Sequence, residues 1–450
     1  MTLGHLPKTR LIKAALGTLF TIQQSSFFMQ NTSQRAHPFT RSLALLAIFL
    51  GSFLTQSCSN GQNYQIFSDG TFKHSNFRTE IPITIKRGVI MMKVDIDGEH
   101  YDFIFDSGAP MILSEELYKK LALKKLQTIE GNDAGGNAED LTLTKLKQFH
   151  IGELEFNDYG SAVIDFNRTI AMRCMKADGI FGANAMREGI WEIDYENQTM
   201  VFTDQPDSLN IPKESISADF SATNVAGTPY VALNLGEASI DNIMIDLGSN
   251  GGFNVPAGLL PAVREAHPDG VFRKVWGAGA TGAFGQRMDT VLHHLSYNLK
   301  LGNYALPANM VSFETAGETM IGSHFLRNYR VILDWKNRRL TLVSANGDAT
   351  PNSRSTPGFR PSFDDGKMMV GQLYERSPAS EAGLHIDDQI LEMNAVDYSA
   401  LTESDYCNLM TDGTWENMEN YDLKIKDRNG SIRWVRLTKR DMFSNTNIQN

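Results

Sequence analysis

Apolar residues along most of this chain fall at alternate positions or in short unbroken runs bounded by Gly, Asn or Asp, which is the pattern of half-buried and buried β-strands. Val89–Ile96, Val231–Leu235 and Arg339–Val343 are the clearest such segments. Helical spacing is confined to short pieces, of which Ser114 to Ala122 is the best. Two stretches depart from the pattern. Ser42 to Leu54 (SLALLAIFLGSFL) is continuously apolar, and residues 346–356 form a polar, Pro- and Ser-containing linker.

The strand pattern repeats. Tyr101 to Ala109 (YDFIFDSGA) is echoed by Asp241 to Ser249 (DNIMIDLGS), two apolar runs that end in Asp-x-Gly. Asp178 to Gly182 (DGIFG) is echoed by Glu318 to Gly322 (ETMIG), and Ile190 to Asn197 by Tyr329 to Asn337. Gly108 to Gly182 and Gly248 to Gly322 each span 74 positions, and Asp106 to Asp194 and Asp246 to Asp334 each span 88. All three landmarks are displaced by the same 140 residues, so residues 78–205 and 214–345 read as two copies of one unit. Each copy has a glycine-rich stretch flanked by strand patterns, with Gly135 and Gly136 in the first and Gly277 and Gly279 in the second; these suit hairpin tips.

Charge and cysteine content narrow the function. The 450 residues include 42 basic and 52 acidic side chains, a formal charge of −10 that argues against nucleic-acid binding. Three cysteines without a Cys-x-x-Cys spacing cannot make a disulfide framework and argue against a structural metal site. His293-His294 is the one tempting metal feature, but adjacent strand residues face opposite ways. The charge is also uneven: residues 1–57 carry Lys8, Arg10, Lys13, Arg35 and Arg41 and no acid. Without them the balance is 37 basic to 52 acidic residues. A basic flank, a short apolar run and small residues before Cys58 describe an export signal over 1–57. The run is shorter than the ~20 residues a membrane span needs. It resembles a bacterial lipoprotein signal, which implies lipidation at Cys58, a tether over 58–77 and a membrane-anchored place in the bacterial cell envelope.

The paired Asp-x-Gly motifs, with Ile180-Phe181-Gly182 and Met320-Ile321-Gly322 downstream, resemble the two-lobed, pepsin- and retropepsin-like aspartic peptidases. The resemblance covers both copies. It implies a mainly β fold of two homologous β-barrel lobes facing a cleft, with glycine-rich hairpins as flaps. It also implies an Asp106–Asp246 dyad supported by Ser107, Gly108, Leu247, Gly248 and Ser249, a polypeptide substrate and no cofactor. Two carboxylates about 3 Å apart share a proton, so one activates water while the other polarises the scissile carbonyl. Leu247 stands where that family has a hydroxyl residue that bridges the two Asp loops, and Ser249 is the nearest substitute. Two readings therefore stay open: an endopeptidase, or a catalytically weak or inactive peptide-binding protein of the same fold. A serine peptidase is disfavoured, since Gly248-Ser249-Asn250 lacks the order of such nucleophile loops and no Gly-x-Ser-x-Gly elbow occurs.

Residues 357–443 carry Gly358-Phe359, the strand pattern Met368–Leu373, then Ser377-Pro378-Ala379, Ala382-Gly383-Leu384 and Ile390-Leu391. This resembles a bacterial PDZ domain, β-rich with short helices. The resemblance implies that a peptide or protein C-terminus docks on a sheet edge, its carboxylate received near Gly358 and Phe359. Asp387 and Ala395 stand where glycines are usual, which leaves those turns open to a different course.

Overall fold

The computed structural model describes residues 64–223, 225–344 and 355–444. The expected export signal, the Cys58 lipidation site and residues 346–354 of the expected linker lie outside these. The described chain is mainly β. Val89–Ile96 is a strand with the expected bounds, and the two other expected strands lie within Pro229–Leu235 and Arg339–Ser344. The expected helix runs Glu115–Lys120. The Ser114 hydroxyl caps it by accepting from the Leu117 N–H, with acids in the first turn and Lys119 and Lys120 in the last.

The 140-residue offset reappears in the hydrogen bonding. Strand Glu99–Asp106 runs parallel to Gly179–Gly182, with Asp106 opposite Gly182. Strand Ala238–Asp246 runs parallel to Met320–Gly322, with Asp246 opposite Gly322. The repeats meet in a six-stranded sheet. At its centre Ile190–Asp194 pairs antiparallel with Tyr329–Asp334, setting Trp191 opposite Leu333 and Ile193 opposite Val331. Leu333 is the repeat-mate of Ile193, and Val331 that of Trp191. The pairing therefore has a local two-fold axis through Glu192 and Ile332, as an isologous interface does. Trp191, Ile193, Val331 and Leu333 lie in one hydrophobic core with Phe103, Phe105, Ile245 and Leu247. Burial of each such side chain is worth roughly 1.5–3 kcal/mol, so neither repeat completes its core alone.

Several boundaries differ from expectation because distant segments supply partners that local pattern does not reveal. Residues 64–77 are not a free tether: Ile66 and Phe67 are buried, and Thr71–Phe72 pairs with Asn157 and Phe156. The last linker residues, Ser355–Thr356, pair with Arg440–Asp441. Gly277 and Gly279 lie inside strand Phe272–Thr281, not at its tip. Gly277 takes φ +116, and a Cβ there would sit 2.3 Å from the Gly371 carbonyl oxygen. That closeness arises because Val275–Gly277 pairs with Gln372–Tyr374 of the C-terminal region.

The C-terminal region builds its own core from Phe359, Met368, Val370, Leu373, Leu423 and Ile425, with Trp276 of the second repeat packed against it. Strands Phe359–Asp364 and Lys367–Tyr374 form a hairpin. After helix Pro378–Glu381 and strand Gln389–Met393 comes helix Glu403–Asp412, then strands Asn420–Lys426 and Ile432–Thr438. A Cys174–Cys407 disulfide fastens helix Ile170–Met175 of the first repeat to helix Glu403–Asp412. Cysteine counting did not foresee this bond. Beside it, Arg173 Nε donates to Glu403 Oε1 at 2.8 Å.

Asp387 and Ala395 keep the left-handed backbone, at φ 66 and φ 65, that glycine favours. The turns thus follow the course glycine would give, with strain accepted in place of a changed path. Ala395→Gly is expected to raise stability by about 0.5–1 kcal/mol, read as a higher midpoint in urea unfolding.

Candidate active site

The strand Glu99–Asp106 ends against Ser107 and Gly108, and Ala238–Asp246 ends against Leu247 and Gly248. The two ends carry the same network. Asp106 Oδ1 accepts from the Gly108 N–H at 2.7 Å and the Ala109 N–H at 3.2 Å. Asp246 Oδ1 accepts from the Gly248 N–H at 2.9 Å and the Ser249 N–H at 3.0 Å. The helix after each apolar-Gly strand is tied to the same loop: the Ala183 N–H donates to Ala109 O, and the Ser323 N–H to Ser249 O, both at 2.8 Å.

The two carboxyls are brought together, and each acts on the proton affinity of the other. Each loop's glycine lies against the opposite acid. A Cβ on Gly108 would stand 3.0 Å from the Asp246 carboxyl carbon, and one on Gly248 would stand 2.2 Å from that of Asp106. Only glycine permits this approach. Burial raises the proton affinity of both acids above the ordinary aspartate range. The neighbouring Asp106 raises Asp246 further, whereas the loop N–H groups and the nearby Asp246 carboxyl hold Asp106 down. The pair is thus arranged to keep one proton between two oxygens, and its titration belongs to both acids.

Ser107 bridges the repeats. Its fully buried hydroxyl donates to Ile245 O at 2.6 Å and accepts from the Leu247 N–H at 3.1 Å. Leu247 returns no such bond; it is fully buried and packs in the central core. Ser249 does not replace it, since its hydroxyl accepts from the Gly251 N–H in its own loop. The bridge is therefore one-sided, with apolar packing in place of the second hydroxyl. Ser107→Ala leaves a buried N–H and a buried C=O without partners, which costs about 1–3 kcal/mol. The expected result is a lower urea midpoint together with a fall in kcat/KM, because the loops lose their register.

The hairpins Gln127–Asn132/Ala138–Ile151 and Phe272–Thr281/Gln286–Ser296 meet tip to tip. Gly135 and Gly136 lie at the first tip, as expected. Sequence reasoning missed the residues that join the tips. Asp133, buried, accepts from the Gly135 and Asn137 N–H groups and, across the junction, from the Phe284 N–H at 2.8 Å. Arg287 Nη1 donates to Gly135 O at 2.8 Å and its guanidinium is ion-paired with Asp289 and Glu314. The Asn-Asp-Ala-Gly-Gly run around Asp133 was the available signal, as Asp two residues before Gly favours a side-chain-to-backbone turn.

The other singled-out residues lie apart from the dyad. His293 contacts the Tyr374 hydroxyl at 3.1 Å, and burial lowers its pKa to about 4. His294 instead contacts Val271 O at 3.1 Å and stacks on Phe272. Gly358 takes φ +91. Its N–H donates to the Thr356 hydroxyl at 3.1 Å. Phe359 is buried in the C-terminal core. A cavity of about 1270 Å³ opens elsewhere, between Trp276, Leu292 and Phe313 of the second repeat and Leu384 and Ile386 of the C-terminal region.

Residues 92–185 match the family model for aspartyl protease. That span contains Asp106, Ser107, Gly108 and the Ile180-Phe181-Gly182 strand; the second repeat lies outside it. The match supports an aspartyl protease relationship and a protease-like function. No curated protein matches the chain.

Proposed function

We propose that this chain is an aspartic endopeptidase in which Asp106 and Asp246 together activate water against a peptide bond. The observation that carries this reading is the reciprocal packing of the two Asp loops, each acid bonded by its own loop and shielded by the other loop's glycine. With one proton on the pair, the ionised carboxyl takes a proton from water while the protonated one polarises the scissile carbonyl. The tetrahedral intermediate then collapses as a carboxyl protonates the leaving amine, breaking the C–N bond and returning the pair to one proton. The repeats are read as two lobes of this family's fold and the hairpins as its flaps.

The chain is read further as an exported lipoprotein anchored through Cys58 in the bacterial envelope. The basic, acid-free charge before residue 58 suits an export signal, and the Cys174–Cys407 disulfide suits an oxidising compartment outside the cytoplasm. The C-terminal region is read as a PDZ domain. Its strand Phe359–Asp364 pairs with one strand among the described residues and lies beside helix Glu403–Asp412, where Phe363 stacks on Tyr406. A peptide terminus would add along that strand, its carboxylate received by backbone N–H groups near Gly358 and Phe359.

A second reading, a weak or inactive peptide-binding protein of the same fold, is favoured by Leu247 and the one-sided bridge. The test is to incubate the full-length chain, solubilised in detergent, with a mixture of unfolded proteins across acid to neutral pH. Asp106→Asn runs alongside, and new peptide termini are read by mass spectrometry. Cleavage lost in the variant is the expected result. Absence of cleavage by the wild-type chain at every pH, with peptide still bound, would favour the second reading.

A further inference from the structure

Alternation along Glu99–Asp106 sorts its side chains onto two faces. Phe103 and Phe105 enter the central core, whereas Ile104, on the same face as Asp106, enters a separate apolar cluster. Ile180 and Met91 flank Ile104 on the neighbouring strands, and Ile112 lies opposite Ile180. An apolar wall thus stands beside the first acid of the dyad. Ile129 and Leu143 of the first hairpin join it, and Ala109, whose N–H binds Asp106, packs at its edge.

One buried member of this cluster belongs to the other repeat, with Val225 and Ala283 of that repeat packed against it. Phe284, at the tip of the second hairpin, reaches across and is only 9% exposed. Its backbone N–H is held by the Asp133 carboxylate of the first hairpin. Gly282 lies so close to Asp133 that a Cβ would stand 2.0 Å from Oδ2. Phe284 thus shares one buried apolar cluster with Ile104, which lies on the Asp106 face of its strand, and its amide is bonded by the first hairpin. A bound polypeptide residue would be held in the same way.

We propose that Phe284 is an internal occupant of an apolar substrate subsite in the first repeat, and that a polypeptide must displace it with an aromatic or large aliphatic side chain to reach the dyad. The inference rests on the peptidase reading above. The hairpin junction is then a gate that competes with substrate. The apparent affinity for substrate is reduced by the fraction of molecules in which the tip is seated.

The test compares full-length wild type, Phe284→Leu and Phe284→Ala on unfolded protein substrates, with Asp106→Asn as the blank. Phe284→Ala is expected to raise kcat/KM about tenfold, mainly through KM, with Phe284→Leu between it and wild type. An unchanged or lower kcat/KM in Phe284→Ala with an unchanged melting temperature overturns the proposal and leaves the peptidase reading intact. If no form cleaves, the peptidase reading fails. The subsite is then read by hydrogen exchange at residues 282–286 in the presence of a statine-containing peptide with a Phe side chain. Faster exchange at the tip supports displacement, and unchanged exchange overturns it.

Discussion

Asp106→Asn is expected to lower the cleavage rate by about 10²- to 10⁴-fold and also to flatten the dependence of stability on pH. Both acids have raised proton affinity in the folded chain, chiefly through burial. A carboxyl whose folded pKa exceeds its unfolded value near 3.9 gives up its proton more readily once unfolded. Its contribution to stability is therefore complete below that unfolded value and is lost as pH rises through the raised folded one. The wild-type chain should thus lose stability on going from mildly acid toward neutral pH, over a window set by the pair. In the variant the remaining acid faces a neutral amide, so the loss should shrink. Thermal unfolding of both forms at several pH values checks this, and equal slopes would show that the pair does not titrate within the fold. On the proposed peptidase reading, the same shared proton predicts a bell-shaped rate profile, with activity highest at one proton on the pair and falling with two or none.

Removing the Cys174–Cys407 bond, by Cys174→Ser with Cys407→Ser, is expected to cost about 2–5 kcal/mol. The two cysteines are 233 positions apart, so in the chain-entropy account the bond restricts the unfolded state strongly. The strand pairing of Val275–Gly277 with Gln372–Tyr374, and Trp276 in the C-terminal core, remain in the variant. The C-terminal region should therefore stay docked at low temperature, and the loss should appear as an earlier thermal transition. Reductant added to the wild type should reproduce it, while a transition unmoved after the thiols become titratable would remove the entropic account. Arg173 and Glu403 should be nearly neutral in the same assay, since both side chains are partly exposed.

The parts of the fold legible in the sequence were those carried by local pattern or by register. Val89–Ile96 opens on an unbroken apolar run and closes on the alternating Lys93-Val94-Asp95-Ile96 before Asp97-Gly98, so its bounds could be read directly. Ser114 before Glu115 and Glu116 announces a helix start. The 140-residue offset survived because the pairs Asp106–Gly182 and Asp246–Gly322 need the same spacing in each copy. Contacts between distant segments left no such trace. Cys174 and Cys407 share no spacing motif, although they are the pair left once Cys58 is set aside. The glycines at 277 and 279 read as a hairpin tip because nothing nearby says that a strand from residue 372 onward pairs with Val275–Gly277. Phe284 looked like one more apolar residue in a glycine-rich stretch, and its burial depends on a wall built by the other repeat.

The axis through Glu192 and Ile332 bears on ancestry. Two copies of residues 78–205 brought together on that axis would set Glu192 against Glu192. Neither would have Arg330, which donates to Glu192 Oε1 at 2.7 Å in the present chain; the repeat-mate of Arg330 is Ile190. Two copies of the second half would instead set Ile332 against Ile332, with both arginines unmatched. The two halves therefore retain the outline of a symmetric pair but have diverged at its centre into a lock and its own key, so that neither half can now be exchanged for a duplicate of the other.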